Sequence, residues 1–293
     1  MPRFRRELFF IRVGIPLVLW FLVAALPAAE LPAFHFGKPD AVYVLPGILS
    51  EISGFVPVGD GVLACVQDNK GALFFYDTAA RTISATCSFG PDGDYEGIAM
   101  GKGTVFVLRS DGVVFEIRDY TKTWSACTRY DTGIACADSE GLCYDPSGNR
   151  LLIACKGDIL TPKTGRSKRA VYAFDLSTRA LSPKPAFELN VDHIDSKLVD
   201  SRHDHTKKKD ETEKLEIRFS DIAVHPFLPL VYLLSARDQC LVIFDANGRL
   251  VRIERLDPLL FNKPEGIAFS VTGDLFVSNE GENKNATILF FKH

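Results

Sequence analysis

Five short motifs set an acidic residue ahead of an apolar run: Glu51-Ile52-Ser53, Glu96-Gly97-Ile98-Ala99, Glu140-Gly141-Leu142-Cys143, Asp221-Ile222-Ala223-Val224 and Glu265-Gly266-Ile267-Ala268. The acids are separated by 45, 44, 81 and 44 residues. A fixed period in this range is the mark of a repeat architecture, and repetition places equivalent side chains in a ring. The chemistry on offer is therefore that of gathered carboxylates. Two carboxylates about 8 Å apart repel by roughly 2 kcal/mol at an effective dielectric near 20, so a ring of them needs relief. A bound cation such as Ca²⁺, which takes six to eight oxygens, would supply it. Cationic side chains reaching inward would also serve, as would raised pKa values. The alternative is that each acid turns sideways and accepts backbone N–H groups of the next repeat, fastening the units together.

The runs after each acid show what must position it. Val62 to Val66, Ala72 to Tyr76 and Thr82 to Ala85 follow the first motif, and Thr104 to Leu108 and Val113 to Ile117 follow the second, each bounded by turn residues. Such β-rich runs predict antiparallel strands joined by hairpins, four to a unit, which is the blade of a β-propeller. The last unit runs out at His293 one strand short, and an isolated strand, Ala41 to Leu45, stands ahead of the first. The expectation is an all-β, five-bladed β-propeller whose ends are closed by that N-terminal strand. Six blades is the alternative, because the 81-residue step has room for one more. The segment Val191 to Lys214 is too polar for four packed strands, which favours five blades and a polar insertion at about 191–218.

In such a ring the first strand of each blade lines the channel, so Glu51, Glu96, Glu140, Asp221 and Glu265 should gather at one mouth. The loops joining second to third strands return to the same face, bringing Asp68, Arg109, Lys156, Asp158, Arg237 and Glu280. The expected ligand-binding set is Glu51, Asp68, Glu96, Arg109, Glu140, Lys156, Asp221, Arg237, Glu265 and Glu280, with Glu96, Glu140 and Glu265 as the candidate metal ligands. His225, in Val224-His225-Pro226, falls on the opposite face and reads as a turn residue. His193, His203 and His205 lie in the polar insertion.

Composition bounds the rest. With 293 residues, 46% hydrophobic and 24% charged, the chain is an ordinary globular one. Four Arg precede the apolar run Val13 to Leu26, and Ala28 and Ala29 follow, so residues 1–29 read as a secretory signal, with an uncleaved membrane anchor as the alternative. Without those residues 30 basic and 36 acidic side chains remain, a net charge of −6. An acidic exported domain, periplasmic or secreted, is a poor nucleic-acid binder. Of the 7 Cys, those at 65, 143 and 155 read as buried, unpaired small hydrophobes, and Cys127 with Cys136 is the one pair expected to be able to bridge. No Gly-rich phosphate loop, G-x-S-x-G elbow or H-E-x-x-H helix occurs.

The repeated E-G-[IL]-[AC] start, clearest in Asp94 to Gly97 and Lys263 to Phe269, and the stretch Gly273 to Glu280 resemble the SdiA-regulated, YjiK-like family over roughly residues 40 to 293. The resemblance implies an extracytoplasmic propeller without a settled activity. The functional expectation is a monomeric module that binds a small molecule or protein at its acidic mouth, with Ca²⁺ as the candidate cofactor and a possible attachment to the inner membrane through the N-terminus. The alternative is a calcium-dependent hydrolase, a lactonase or esterase or a phytase-like phosphoesterase.

Overall fold

The structure is a computed structural model that describes residues 31–32, 34–59, 61–136, 138–157, 168–202, 215–282 and 284–293. The segment 1–29, Asp158, His203 and His205 lie outside them. Blade 1 comprises Ile52–Gly59, Val62–Gln67, Ala72–Asp77 and Thr82–Ser88, and blade 2 comprises Tyr95–Gly101, Thr104–Arg109, Val113–Ile117 and Cys127–Asp131. In blade 3, Ser139–Asp145, Arg150–Cys155 and Lys168–Asp175 are followed by two short strands, Ala180–Leu181 and Phe187–Asn190, which both pair with the third. Blade 4 is Phe219–Val224, Leu230–Ser235, Cys240–Asp245 and Leu250–Arg255. Blade 5 has three strands of its own, Pro264–Phe269, Leu275–Asn279 and Thr287–Phe291. The expected closure is present: Ala41–Val44 pairs antiparallel with Thr287–Phe291, Ala41 opposite Phe290 and Val44 opposite Thr287. Pairing the chain's two ends in one blade leaves no gap in the ring.

The described residues of the polar insertion add no blade. After two short turns, Val191–His193 and Ser196–Leu198, the chain adds Val199–Asp200 as a parallel strand on the outer edge of blade 4. It returns through buried Leu215 and Ile217 to the inner strand of that blade.

The core lies in the seams between blades. Both faces of each sheet are covered, so the middle strands are apolar throughout rather than alternating, as in Leu230–Ser235, where every residue is buried. Phe55, Tyr76, Phe276 and Ile288 fill the seam between blades 5 and 1, and Val66, Phe89, Tyr95 and Phe115 the next one. Leu108, Leu142 and Ile153 join blades 2 and 3, and Val171, Phe187, Leu233 and Phe244 join blades 3 and 4. Tyr232 and His225 of blade 4 meet Phe269 of blade 5 at ring distances of 5.0 and 4.9 Å.

The cysteine expectation needs correction. Cys136 bridges Cys155, with Cα atoms 6.1 Å apart, and does not bridge Cys127. Cys155 ends the second strand of blade 3 opposite Ser139, so the connector carrying Cys136 must pass it. Cys127 instead turns its thiol to the carbonyl of Phe89 at 3.3 Å. Cys65 and Cys143 are buried free thiols, as expected, whereas Cys155, expected to be unpaired, is bridged.

Candidate functional site

Each inner strand carries an irregularity near its start. In blade 2, Tyr95 pairs with Arg109 and Gly97 with Leu108, which leaves Glu96 as an extra, unpaired residue. The same count makes Ser53, Glu140, Ser220 and Glu265 the extra residues in the other blades. A bulge re-aims its side chain, and here five bulges sit at one end of the channel. The next position is Gly54, Gly97, Gly141, Asp221 and Gly266 in turn. At Gly97 and Gly141 glycine is needed because the neighbouring inner strand passes so close. A Cβ on Gly97 would stand 2.7 Å from the carbonyl oxygen of Glu140, and one on Gly141 would stand 2.7 Å from the Cα of Asp221. The acid-glycine pair is thus a bulge followed by a blade contact.

This register rearranges the expected ring into three carboxylates and two serines. Glu51 stands two positions ahead of its bulge, exposed, and accepts a hydrogen bond from the Asn69 amide at 3.1 Å. Asp221 occupies the glycine position of blade 4. It is buried, and its Oδ2 accepts the backbone N–H of Ile267 in blade 5 at 2.8 Å. This one acid turns sideways and fastens two blades. Burial holds its carboxyl well above the usual range, against the pull of the backbone N–H groups. Ser220 likewise donates to the carbonyl of Pro264 in blade 5 at 3.1 Å.

Glu96, Glu140, Glu265 and Ser53 line a cavity of about 150 Å³ at the mouth, together with Glu51, Asp68, Lys156, Lys263 and Glu280. Seven of the ten expected residues therefore come together. Asp221 does not, and neither does either arginine. Arg109 grips Asp111 through Nε and Nη2 at 2.9 and 2.7 Å, and Arg237 pairs with Glu216 at 3.0 Å. The sequence reading missed Lys263 and Ser53. Lys263 lies two positions ahead of its bulge, the place held in the other blades by Glu51, Asp94, Asp138 and Arg218, so a second tier of charge rings the first.

Two lysines answer six acids in the cavity wall. Lys156 donates to Glu140 Oε1 at 2.7 Å and stands 4.0 Å from Asp138. Lys263 pairs with Glu280 and stands 3.8 Å from Glu265 Oε1. The carboxyl pKa values respond accordingly. Burial, reinforced by Glu140 and Asp94, pushes Glu96 upward, and Lys156 opposes this only in part. Glu140 is raised by burial against its contact with Lys156. Glu265 is pushed up to about 7, by burial first and then by Glu140, with Lys263 opposing. Asp68 is raised by burial and by Glu51 and Glu280. The oxygen-only donors suit a hard cation, although among the described residues no three His, Cys, Asp or Glu side chains already converge as metal ligands.

On the opposite face His225 is a turn residue, as expected, its Nδ1 accepting the N–H groups of Phe227 and Leu228 at 3.2 and 3.0 Å. Burial, with His293 nearby, lowers its pKa to about 4.

Five small sheets around a channel, closed by a shared blade, define a β-propeller. Solved structures agree on that class. The chain is similar to the glutaminyl cyclase of Myxococcus xanthus, with a TM-score of 0.58 at 12% identity over 87% of this chain and 95% of that one. It is similar to U3-55K, with a TM-score of 0.50 at 9% identity over 87% of this chain and 100% of that one. At these identities the likeness is one of fold. No family model and no curated protein matches the chain.

Proposed function

We propose that the chain is an extracytoplasmic binding propeller of the SdiA-regulated, YjiK-like kind, and that its acidic mouth takes up a cationic group. The observation that carries this reading is the imbalance of six acids and two lysines around one cavity, with Glu96 facing carboxylates on two sides. A cavity of about 150 Å³ has room for an ion with a few waters, or for the charged tip of a larger ligand. A positive charge there would relieve the burial and mutual repulsion that raise the three bulge carboxyls. The E-G-[IL]-[AC] motifs support the family, and the basic and apolar N-terminal sequence supports export, to the periplasm or beyond, with membrane association. Calcium titration by calorimetry and thermal shift tests the reading. Binding at millimolar calcium or below, weakened in Glu96→Gln and Glu265→Gln, is expected. No heat and no change in stability would sink the calcium form.

One observation favours a second reading, a calcium-dependent hydrolase: a carboxyl raised as Glu96 is stays protonated near neutral pH and has the properties of a general acid. A screen of lactones, aryl esters and phosphate monoesters separates the two. Metal-dependent turnover that disappears in Glu96→Gln would replace the binder with the enzyme.

A further inference from the structure

The far end of the channel opens between apolar side chains rather than carboxylates. There Val56, Met100, Tyr144, Val224 and Phe269, at or near the ends of the inner strands, surround a cavity of about 140 Å³. Beside it two side chains stand out into solvent, Phe227 at 64% and Val271 at 86% exposure. They belong together, because a Cβ on Gly273 would meet the Phe227 ring at 3.3 Å, which places that ring over the turn carrying Val271. Apolar side chains scattered singly over a surface are ordinary, but an exposed pair at the rim of an apolar opening marks a contact face.

The chain itself indicates what the face meets. Phe34 packs against Phe269 and His293, with ring distances of 6.3 and 6.2 Å, so the polypeptide joins the propeller at this end. Upstream in the sequence lies the apolar run Val13 to Leu26, and only Pro27 to Ala33 separate it from Phe34. Those residues reach roughly 25 Å at full extension. Wherever that run is embedded in lipid, the face is held within a short distance of it. A short tether gives an effective concentration in the millimolar range, so a small patch suffices. Full burial of a Phe or Val side chain contributes about 1.5 to 3 kcal/mol.

We propose that this face rests on a lipid bilayer, with Phe227 and Val271 entering the interface and the acidic mouth turned toward the water. The proposal rests on the reading of the N-terminal run as a retained anchor, and the test separates the two. The chain's 2 Trp, Trp20 and Trp124, allow single-indole variants of the full-length protein in vesicles whose acyl chains are brominated near the headgroup. Trp124→Phe leaves Trp20 to report insertion of the run. Phe227→Trp with both native indoles replaced by Phe reports the face, and Lys70→Trp in that background reports the acidic end. Quenching of Trp20 and of the indole introduced by Phe227→Trp, with none from Lys70→Trp, is expected. Quenching of the Phe227→Trp reporter without that of Trp20 would show that the face binds lipid unaided and would support the proposal while removing the anchor. A quenched Trp20 beside an unquenched Phe227→Trp reporter would overturn it, and so would quenching of neither or equal quenching at both ends of the channel.

Discussion

The two ends of the channel use carboxylates in opposite ways. At the far end a set of aspartates accepts hydrogen bonds at the turns. Asp77 accepts the N–H groups of Ala79 and Ala80 at 2.8 Å each, Asp175 those of Ser177 and Thr178 at 2.8 and 2.7 Å, and Asp245 that of Asn247 at 2.9 Å. Asp145 accepts from Ser147 and Arg150, and Asp274 from Thr272 and His293. For Asp145 and Asp274 these bonds outweigh burial and hold the carboxyls below their usual range, and Asp175 is lowered by its two backbone N–H partners. At the acidic end the bulges aim Glu96, Glu140 and Glu265 away from any backbone donor and toward one another, and all three are raised. Turn geometry supplies N–H partners that a bulge does not. The aspartates of one end are satisfied at the turns, whereas burial dominates at the three bulge carboxyls of the other.

Substitutions at the two ends should therefore differ in sign. Asp145→Ala removes a buried carboxylate that Ser147 and Arg150 satisfy, and should cost about 2 to 4 kcal/mol in urea denaturation. Glu96→Gln should raise stability by about 1 kcal/mol at pH 8 and leave it unchanged at pH 5, where the native carboxyl is already protonated. A loss at both pH values, like that of Asp145→Ala, would erase the distinction between the ends.

The pH profile of the wild-type protein sharpens it further. Glu265 titrates at about 7 in the fold against an ordinary value of 4.5, so between these the native state holds more protons than the unfolded chain. Stability should fall as pH rises through that window, and Glu96 and Glu140 act in the same direction. The lowered groups Asp145 and Asp274 act oppositely, adding stability above about pH 4 that is lost as pH falls through their folded values. Denaturation midpoints from pH 3 to 9 should peak between the two windows and decline on both sides. In Glu265→Gln the alkaline decline should become shallower, which is the smallest of these effects.

The period of the acid-apolar motif, the turn-bounded strands and the unpaired strand at Ala41 were enough to read the fold, because blade closure needs only strand number and spacing. The site was legible wherever Glu and Gly stand together. The register was misread in blades 1 and 4, where the bulge residue is Ser53 or Ser220 and a nearby acid, Glu51 or Asp221, takes its place in the pattern, although Glu51 still lines the mouth. Aligning the motifs on their apolar pair, Ile98-Ala99 with Phe55-Val56 and Ile222-Ala223, recovers the true register. Cys155 is buried as expected but was misread as unpaired, because strand burial alone says nothing of the connector that brings Cys136 to it.

The most direct test of a cation at the acidic mouth is a crystal structure of the protein grown with millimolar calcium, read by anomalous scattering. The account predicts a peak among Glu96, Glu140 and Glu265, with their carboxylates drawn toward it. A mouth without a peak, its Lys156–Glu140 and Lys263–Glu280 pairs unchanged, would contradict it.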